Sequence, residues 1–157
     1  MTAPMIKQLP LSLGNASKTD VRTQFAALCF RVKNGSIQVL LITSRGSGRW
    51  ILPKGWPVDG ATPQKAALQE AWEEAGVEGK VSPRPLGLYS YLKENGDEDG
   101  LPCVAMIYAV KVKSLANAFP EAGQRKRKWV SQKKAAALVE EPELSRILKD
   151  FDPRAVF

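Results

Sequence analysis

Glu70, Glu73 and Glu74 place three carboxylates within five positions of the segment Gln69-Glu70-Ala71-Trp72-Glu73-Glu74-Ala75. At about 100° per residue, a helix gathers them into an arc of roughly 100°, with Leu68, Ala71, Trp72 and Ala75 on the opposite face. Like charges three and four residues apart repel and weaken an isolated helix. A cation held between them removes that repulsion, and hard divalent ions such as Mg²⁺ or Mn²⁺ favour carboxylate oxygens. The chemistry open to such a cluster is metal-assisted hydrolysis, in which negative oxygens are neutralised and a bound water is acidified. The bland alternative is a solvated acidic helix face.

The rest of the composition narrows the choice. The chain has no histidine, which excludes Ser-His-Asp triads, His-ligated zinc and His phosphoryl relays together. Carboxylate, lysine and arginine remain. A net charge of +7 around an acidic cluster suits a polyanionic small-molecule substrate first and nucleic acid second; solubility charge is the alternative. Lys54, beside Gly55, is in reach of an anionic substrate held at the carboxylate cluster. In Gln124-Arg125-Lys126-Arg127-Lys128, a strand would send Arg125 and Arg127 to one face and Lys126 and Lys128 to the other. At least one face is expected to meet phosphate, against the alternative of a charged edge strand that resists sheet-to-sheet pairing.

Elements able to hold these residues can be read along the chain. With 157 residues, 44% hydrophobic and 25% charged, it fits one domain with a real core. Residues 1–20 read as an irregular arm, 21–150 as the domain and 151–157 as a C-terminal tail. Thr23 to Val32 and Ile37 to Thr43 are strand-like around Asn34-Gly35, a strong hairpin signal. Trp50-Ile51-Leu52 is a short strand after the loop Arg45 to Arg49. Thr62 can cap a helix with Pro63 at its first position, and Gly76 sits where a left-handed residue stops it.

Leu86 to Leu92 and Leu101 to Val112 are strand-like, joined by an acidic turn over 94–100. Arg125 to Val130 is read as another strand. Ser131 caps a helix reaching about Val139, and Glu143 to Lys149 adds a helical turn or two. The order β-β-β-α-β-β-β-α, without repeats, implies one mixed sheet with helices packed against it.

Cys29 and Cys103 each lie in an apolar run and are expected as buried free thiols, with no metal-type spacing. Trp50, Trp56 and Trp129 are expected in packing rather than base stacking. No secretory signal is visible, and no apolar stretch approaches the ~20 residues of a membrane span. A cytoplasmic protein is the expectation.

The segment Gly55 to Val77 resembles a Nudix box, G-x5-E-x7-R-E-U-x-E-E-x-G-U with U apolar. Gly55, Glu70, Glu73, Glu74, Gly76 and Val77 match at the required spacing; Ala61 and Gln69 replace the first glutamate and the arginine. Leu28 to Arg31, the loop Ser44 to Trp50, and Arg125 to Trp129 look like the diphosphoinositol polyphosphate phosphohydrolases within that superfamily. The resemblance implies a Nudix fold of the α/β (α+β) class, a mixed β-sheet sandwiched between helices.

It also implies a pyrophosphohydrolase using Mg²⁺ or Mn²⁺, held by Glu70, Glu74, a shared Glu73 and the Gly55 carbonyl. Glu70 or Glu73 activates water in that reading, and Arg22, Ser44 and Arg45 contact phosphate. Gln24 stands where that family has a further basic residue. The expected substrate is a diphosphoinositol polyphosphate or a dinucleoside polyphosphate. The alternatives are removal of a 5′ pyrophosphate from RNA, and a Nudix-fold module that binds without hydrolysing.

Overall fold

The computed structural model describes residues 8–11, 21–93 and 100–157. Strands β1 (Arg22–Lys33) and β2 (Ser36–Thr43) form an antiparallel hairpin. Its turn places Asn34 and Gly35 at φ of 52° and 78°. Two positive φ values in succession are the twist-matching turn that Asn-Gly supplies at little steric cost. Two short strands follow, β3 (Trp50–Ile51) against β2 and β4 (Lys54–Gly55) against β1. The helix α1 (Pro63–Ala75) then carries the three glutamates.

The ends of α1 are those its sequence dictates. The Thr62 hydroxyl accepts a hydrogen bond from the Lys65 N–H at 3.2 Å. Gly76 stops the helix at φ 69° and returns its N–H to the Ala71 and Trp72 carbonyls. A Cβ at Gly76 would also run into the Phe119 ring at 2.5 Å, so both conformation and packing demand glycine.

Strand β5 (Val77–Leu92) leaves that stop at once and pairs along most of its length with β6 (Pro102–Leu115). The expected strand began nine residues later, at Leu86. Gly79, Pro83 and Pro85 hid the earlier half. They are tolerated because β5 is the sheet edge and absorbs register shifts at Glu78/Gly79, Val81/Pro85 and Pro85/Gly87. The order β3-β2-β1-β6-β5 joins two antiparallel hairpins through a parallel β1–β6 pairing, and β7 (Arg127–Ser131) lies along β2. The acidic turn lies, over 94–99, outside the described residues, as does most of the N-terminal arm.

The expected sandwich is present. On one face α1 offers Ala67, Ala71 and Ala75 to Ala27, Cys29, Leu40, Ile42 and Val110. Small side chains let the helix backbone lie close to the sheet. On the other face α2 (Gln132–Leu138) and α3 (Pro142–Asp150) cover Leu28, Phe30, Val39 and Ile107 with Leu144, Ile147 and Leu148.

Each fully buried aliphatic side chain contributes about 1.5–3 kcal/mol. Glu143, buried on α3, accepts from the Ser90 N–H at 2.9 Å and the Ser90 hydroxyl at 2.6 Å, pinning that helix to β5. Residues 151–157, read from sequence as a tail, put Phe151 and Val156 into the same core. Both cysteines are buried free thiols, and burial pushes Cys29 up to about 12. The three tryptophans pack partly against the two cores.

Candidate active site

The short strand β4 creates the site. It pairs antiparallel with the start of β1, with Phe25 opposite Gly55 and Ala26 opposite Lys54, and the Ala27 N–H donates to the Pro53 carbonyl at 2.9 Å. This lays Gly55 directly on the Glu70 carboxyl, so that a Cβ at Gly55 would overlap it. The Lys54 backbone N–H donates to Glu74 Oε1 at 3.2 Å. A two-residue strand of Lys and Gly carries no periodic signal, which is why sequence reading missed it.

Glu70 and Glu74, one helical turn apart, open with Lys54, Gly55, Ser44, Arg45 and Arg125 onto a single cavity of about 460 Å³. Burial is the largest influence on both carboxyls. It pushes the Glu70 pKa up to about 8, helped by the charges of Glu74 and Glu73. Glu74 is raised by burial too, against the opposing pull of Arg125 and the Lys54 N–H. Lys54, over the Tyr91 ring at 4.7 Å, is lowered to about 8 by burial, with Glu74 opposing and Arg49 reinforcing the shift. The wall therefore sets two acids that resist ionisation beside a lysine whose charge burial also disfavours.

Several expected residues fall elsewhere. Glu73 lies off the cavity wall, where its Oε1 accepts from Gln69 Nε2 at 2.9 Å. Among the described residues no group of three His, Cys, Asp or Glu stands close enough to hold one metal ion. Glu70 and Glu74 thus stand on the cavity wall, with Glu73 alongside it. The arc does not face away from the core either: Glu74 is only 8% exposed, because β4 covers that side of α1.

Arg125 and Arg127 do not share a strand face, because β7 begins only at Arg127. Arg125 sits in the bend before it and aims Nη2 at Glu74 Oε2, 3.5 Å away. Arg127 turns to the Ala75 and Ala116 carbonyls, both at 2.9 Å, and lies over Phe119. It is a structural clamp on the end of α1 rather than part of the cavity wall. Arg22 starts β1 opposite Cys103, exposed and also off that wall. Ser44 is on the wall, but its hydroxyl shapes the loop, contacting Ser47 Oγ at 2.9 Å and accepting from the Arg49 N–H at 3.2 Å.

Sequence reading missed Arg49, which lines the cavity while its Nη1 pairs with Glu141 Oε2 at 2.7 Å. It also missed Tyr91 and Lys93, on the same wall. Gln24, noted only as a departure from a basic position, is buried on that wall as well, and its Oε1 has no hydrogen-bond partner among the described residues. No sequence spacing links these residues; the strand pairings bring them together.

The donor set fits a hard divalent cation. Two carboxylates one turn apart, both made reluctant to ionise by burial, gain most from a positive ion placed between them. Gly55 contributes close backbone where any side chain would block Glu70.

A mixed sheet between helices with a glycine-flanked carboxylate helix packed on one face defines a class of fold, and wider comparison agrees. The NUDIX domain matches residues 22–151, and the chain belongs to that family. Nudix hydrolase 13, mitochondrial, of Arabidopsis thaliana is 32% identical over 120 residues, covering 73% of this chain and 59% of that protein. Diphosphoinositol polyphosphate phosphohydrolase 2 of Homo sapiens is 30% identical, covering 80% of this chain and 66% of that protein.

The chain spans about three-fifths of the length of its plant relatives. Two solved structures share the fold. The Ap4A hydrolase of C. elegans has TM-score 0.58 at 18% identity, covering 82% and 94% of the two chains. The NUDIX domain of Shewanella oneidensis NrtR, complexed with ADP ribose, has TM-score 0.59 at 15% identity, covering 85% and 90%.

Proposed function

We propose that this chain is a metal-dependent pyrophosphohydrolase cleaving a phosphoanhydride bond in a highly phosphorylated small molecule. Diphosphoinositol polyphosphates and dinucleoside polyphosphates are the candidate substrates. The observation that carries the reading is the Glu70–Glu74 pair against Gly55, sharing one cavity with Lys54, Arg45 and Arg125. Relatives named as Nudix hydrolases and as diphosphoinositol polyphosphate phosphohydrolases support it.

Glu70 and Glu74 are the residues to hold Mg²⁺ or Mn²⁺, whose contribution would be charge neutralisation and an acidified water. Lys54 supplies positive charge beside the carboxylates, where phosphate oxygens gather negative charge in the transition state, and Arg125 is suited to hold a neighbouring phosphate of the bound substrate. Arg45, exposed at the cavity mouth, suits a phosphate remote from the scissile bond. A proton released by the attacking water needs an acceptor on α1. Glu70 is favoured over Glu73, because it lies on the cavity wall and Glu73 does not.

The test is chromatographic separation of the cleavage products formed with Mg²⁺ or Mn²⁺ from a panel holding a diphosphoinositol polyphosphate, diadenosine tetraphosphate and 5′-triphosphorylated RNA. Turnover of one of the small molecules, stopped by EDTA, is expected. Glu70→Gln and Glu74→Gln should each cut it by about 10²-fold or more with the melting temperature maintained. Unchanged rates in both variants would remove the site, and turnover of the RNA alone would replace the substrate class.

A further inference from the structure

Glu121, in the turn between β6 and β7, belongs neither to the helical carboxylate motif nor to the basic run. Its Oε1 nevertheless stands between two of the cavity's arginines, Arg45 and Arg125. It accepts from Arg125 Nε at 3.2 Å and lies 3.7 Å from Arg45 Nη1. The same turn is fastened to the carboxylate helix, since the Glu121 N–H donates to the Glu73 carbonyl at 3.0 Å. Gln124, whose N–H bonds the Glu121 carbonyl at 3.1 Å, accepts from Arg45 Nη1 through its side-chain Oε1, also at 3.1 Å. One short turn thus links α1 to both guanidinium groups.

Arg125 has three holds: Glu121 on Nε, the Thr43 carbonyl on Nη1 at 3.1 Å, and Glu74 near Nη2 at 3.5 Å. The last is the loosest. On the proposed reading it is also the one that must weaken, because a carboxylate that gives its charge to a divalent ion has less to give an arginine. What then remains is a guanidinium fixed at Nε and Nη1 on the cavity wall, with Nη2 on the side of Glu74. That is the geometry in which an arginine meets a phosphate oxygen without first losing rotamer freedom, since the ordering has already been done.

We infer that Glu121 is a positioning residue: it holds Arg125, and less tightly Arg45, in the orientation that receives substrate phosphate. The inference rests on the pyrophosphohydrolase reading and adds a residue to it.

The test compares wild type with Glu121→Ala and Glu121→Gln in three measurements. These are steady-state kinetics on the best panel substrate, calorimetric titration with Mn²⁺ alone, and binding of methylenediphosphonate in the presence of Mn²⁺. Glu121→Ala should raise KM about tenfold, change kcat by less than about threefold and leave Mn²⁺ affinity within about twofold. Glu121→Gln should fall between the two, because its amide oxygen still accepts the Arg125 Nε–H bond. In an Arg125→Ala background the same change should raise KM by less than about threefold, since the main partner is gone.

An unchanged KM in the well-folded Gln variant, together with wild-type phosphonate affinity, overturns the inference. So does a joint fall in kcat and Mn²⁺ affinity, which would make Glu121 a metal ligand instead. If wild type hydrolyses nothing in the panel, the activity reading fails by itself. The phosphonate titration then decides the positioning role: about tenfold weaker binding in Glu121→Ala supports it, and equal binding ends it.

Discussion

At Glu70, burial and the charges of Glu74 and Glu73 raise the pKa from 4.5 to about 8. Between those two values the folded, metal-free chain holds a proton that the unfolded chain has released. The stability linked to Glu70 is therefore fully present at low pH and lost as pH rises through that window. Glu74, also raised by burial, acts in the same direction. Lys54, lowered to about 8 from 10.5, shifts stability only above pH 8 and leaves this window to the acids.

The expected outcome is a metal-free melting temperature that these two groups pull down from pH 5 to pH 8. Glu70→Gln should flatten the trend, and Mg²⁺ should restore stability most at the upper end. Calorimetry at pH 7 in buffers of different ionisation heat should show proton release on metal binding; none would contradict the assignment. Gly55→Ala is the second test at this scale. Its Cβ must displace the Glu70 carboxyl, so metal affinity and turnover should fall together while the melting temperature moves little.

Among the elements, α1 was the most legible. Thr62, Pro63 and Gly76 mark its ends locally, and no tertiary contact was needed to find them. Strand β7 shows the opposite case. Period-two reasoning paired Arg125 with Arg127 on one face, yet Thr43 takes both the Arg125 Nη1–H at its carbonyl and the Lys126 N–H at its hydroxyl. Those bonds hold the lead-in residues out of the strand.

Arg127 consequently has a structural task, closing the Ala75 and Ala116 carbonyls over Phe119. Arg127→Met should cost about 1–3 kcal/mol in urea unfolding, as expected when buried acceptors lose a charged donor. It should leave KM nearly unchanged. A large rise in KM with full stability would return Arg127 to the substrate-binding set.

At the scale of the molecule, a net charge of +7 and the cations around one cavity imply electrostatic capture of a polyanion. Raising salt from about 0.05 to about 0.5 M shortens the Debye length several-fold. KM for the small-molecule substrate should then rise several-fold while kcat holds, as steady-state kinetics would show. A kcat that falls with KM would place screened charge at the reacting centre itself.

The sequence alone determined the carboxylate helix, its boundaries, the hairpin at Asn34-Gly35 and the family resemblance, because each is written in residues close together along the chain. Which acids meet was decided only by the tertiary structure. Glu70 and Glu74 face a cavity while Glu73 turns to Gln69, and Glu121, Arg49 and Gln24 arrive from distant segments. Their meeting depends on the antiparallel pairing of β4 with β1 and on the parallel β1–β6 pairing, long-range contacts that no local spacing encodes.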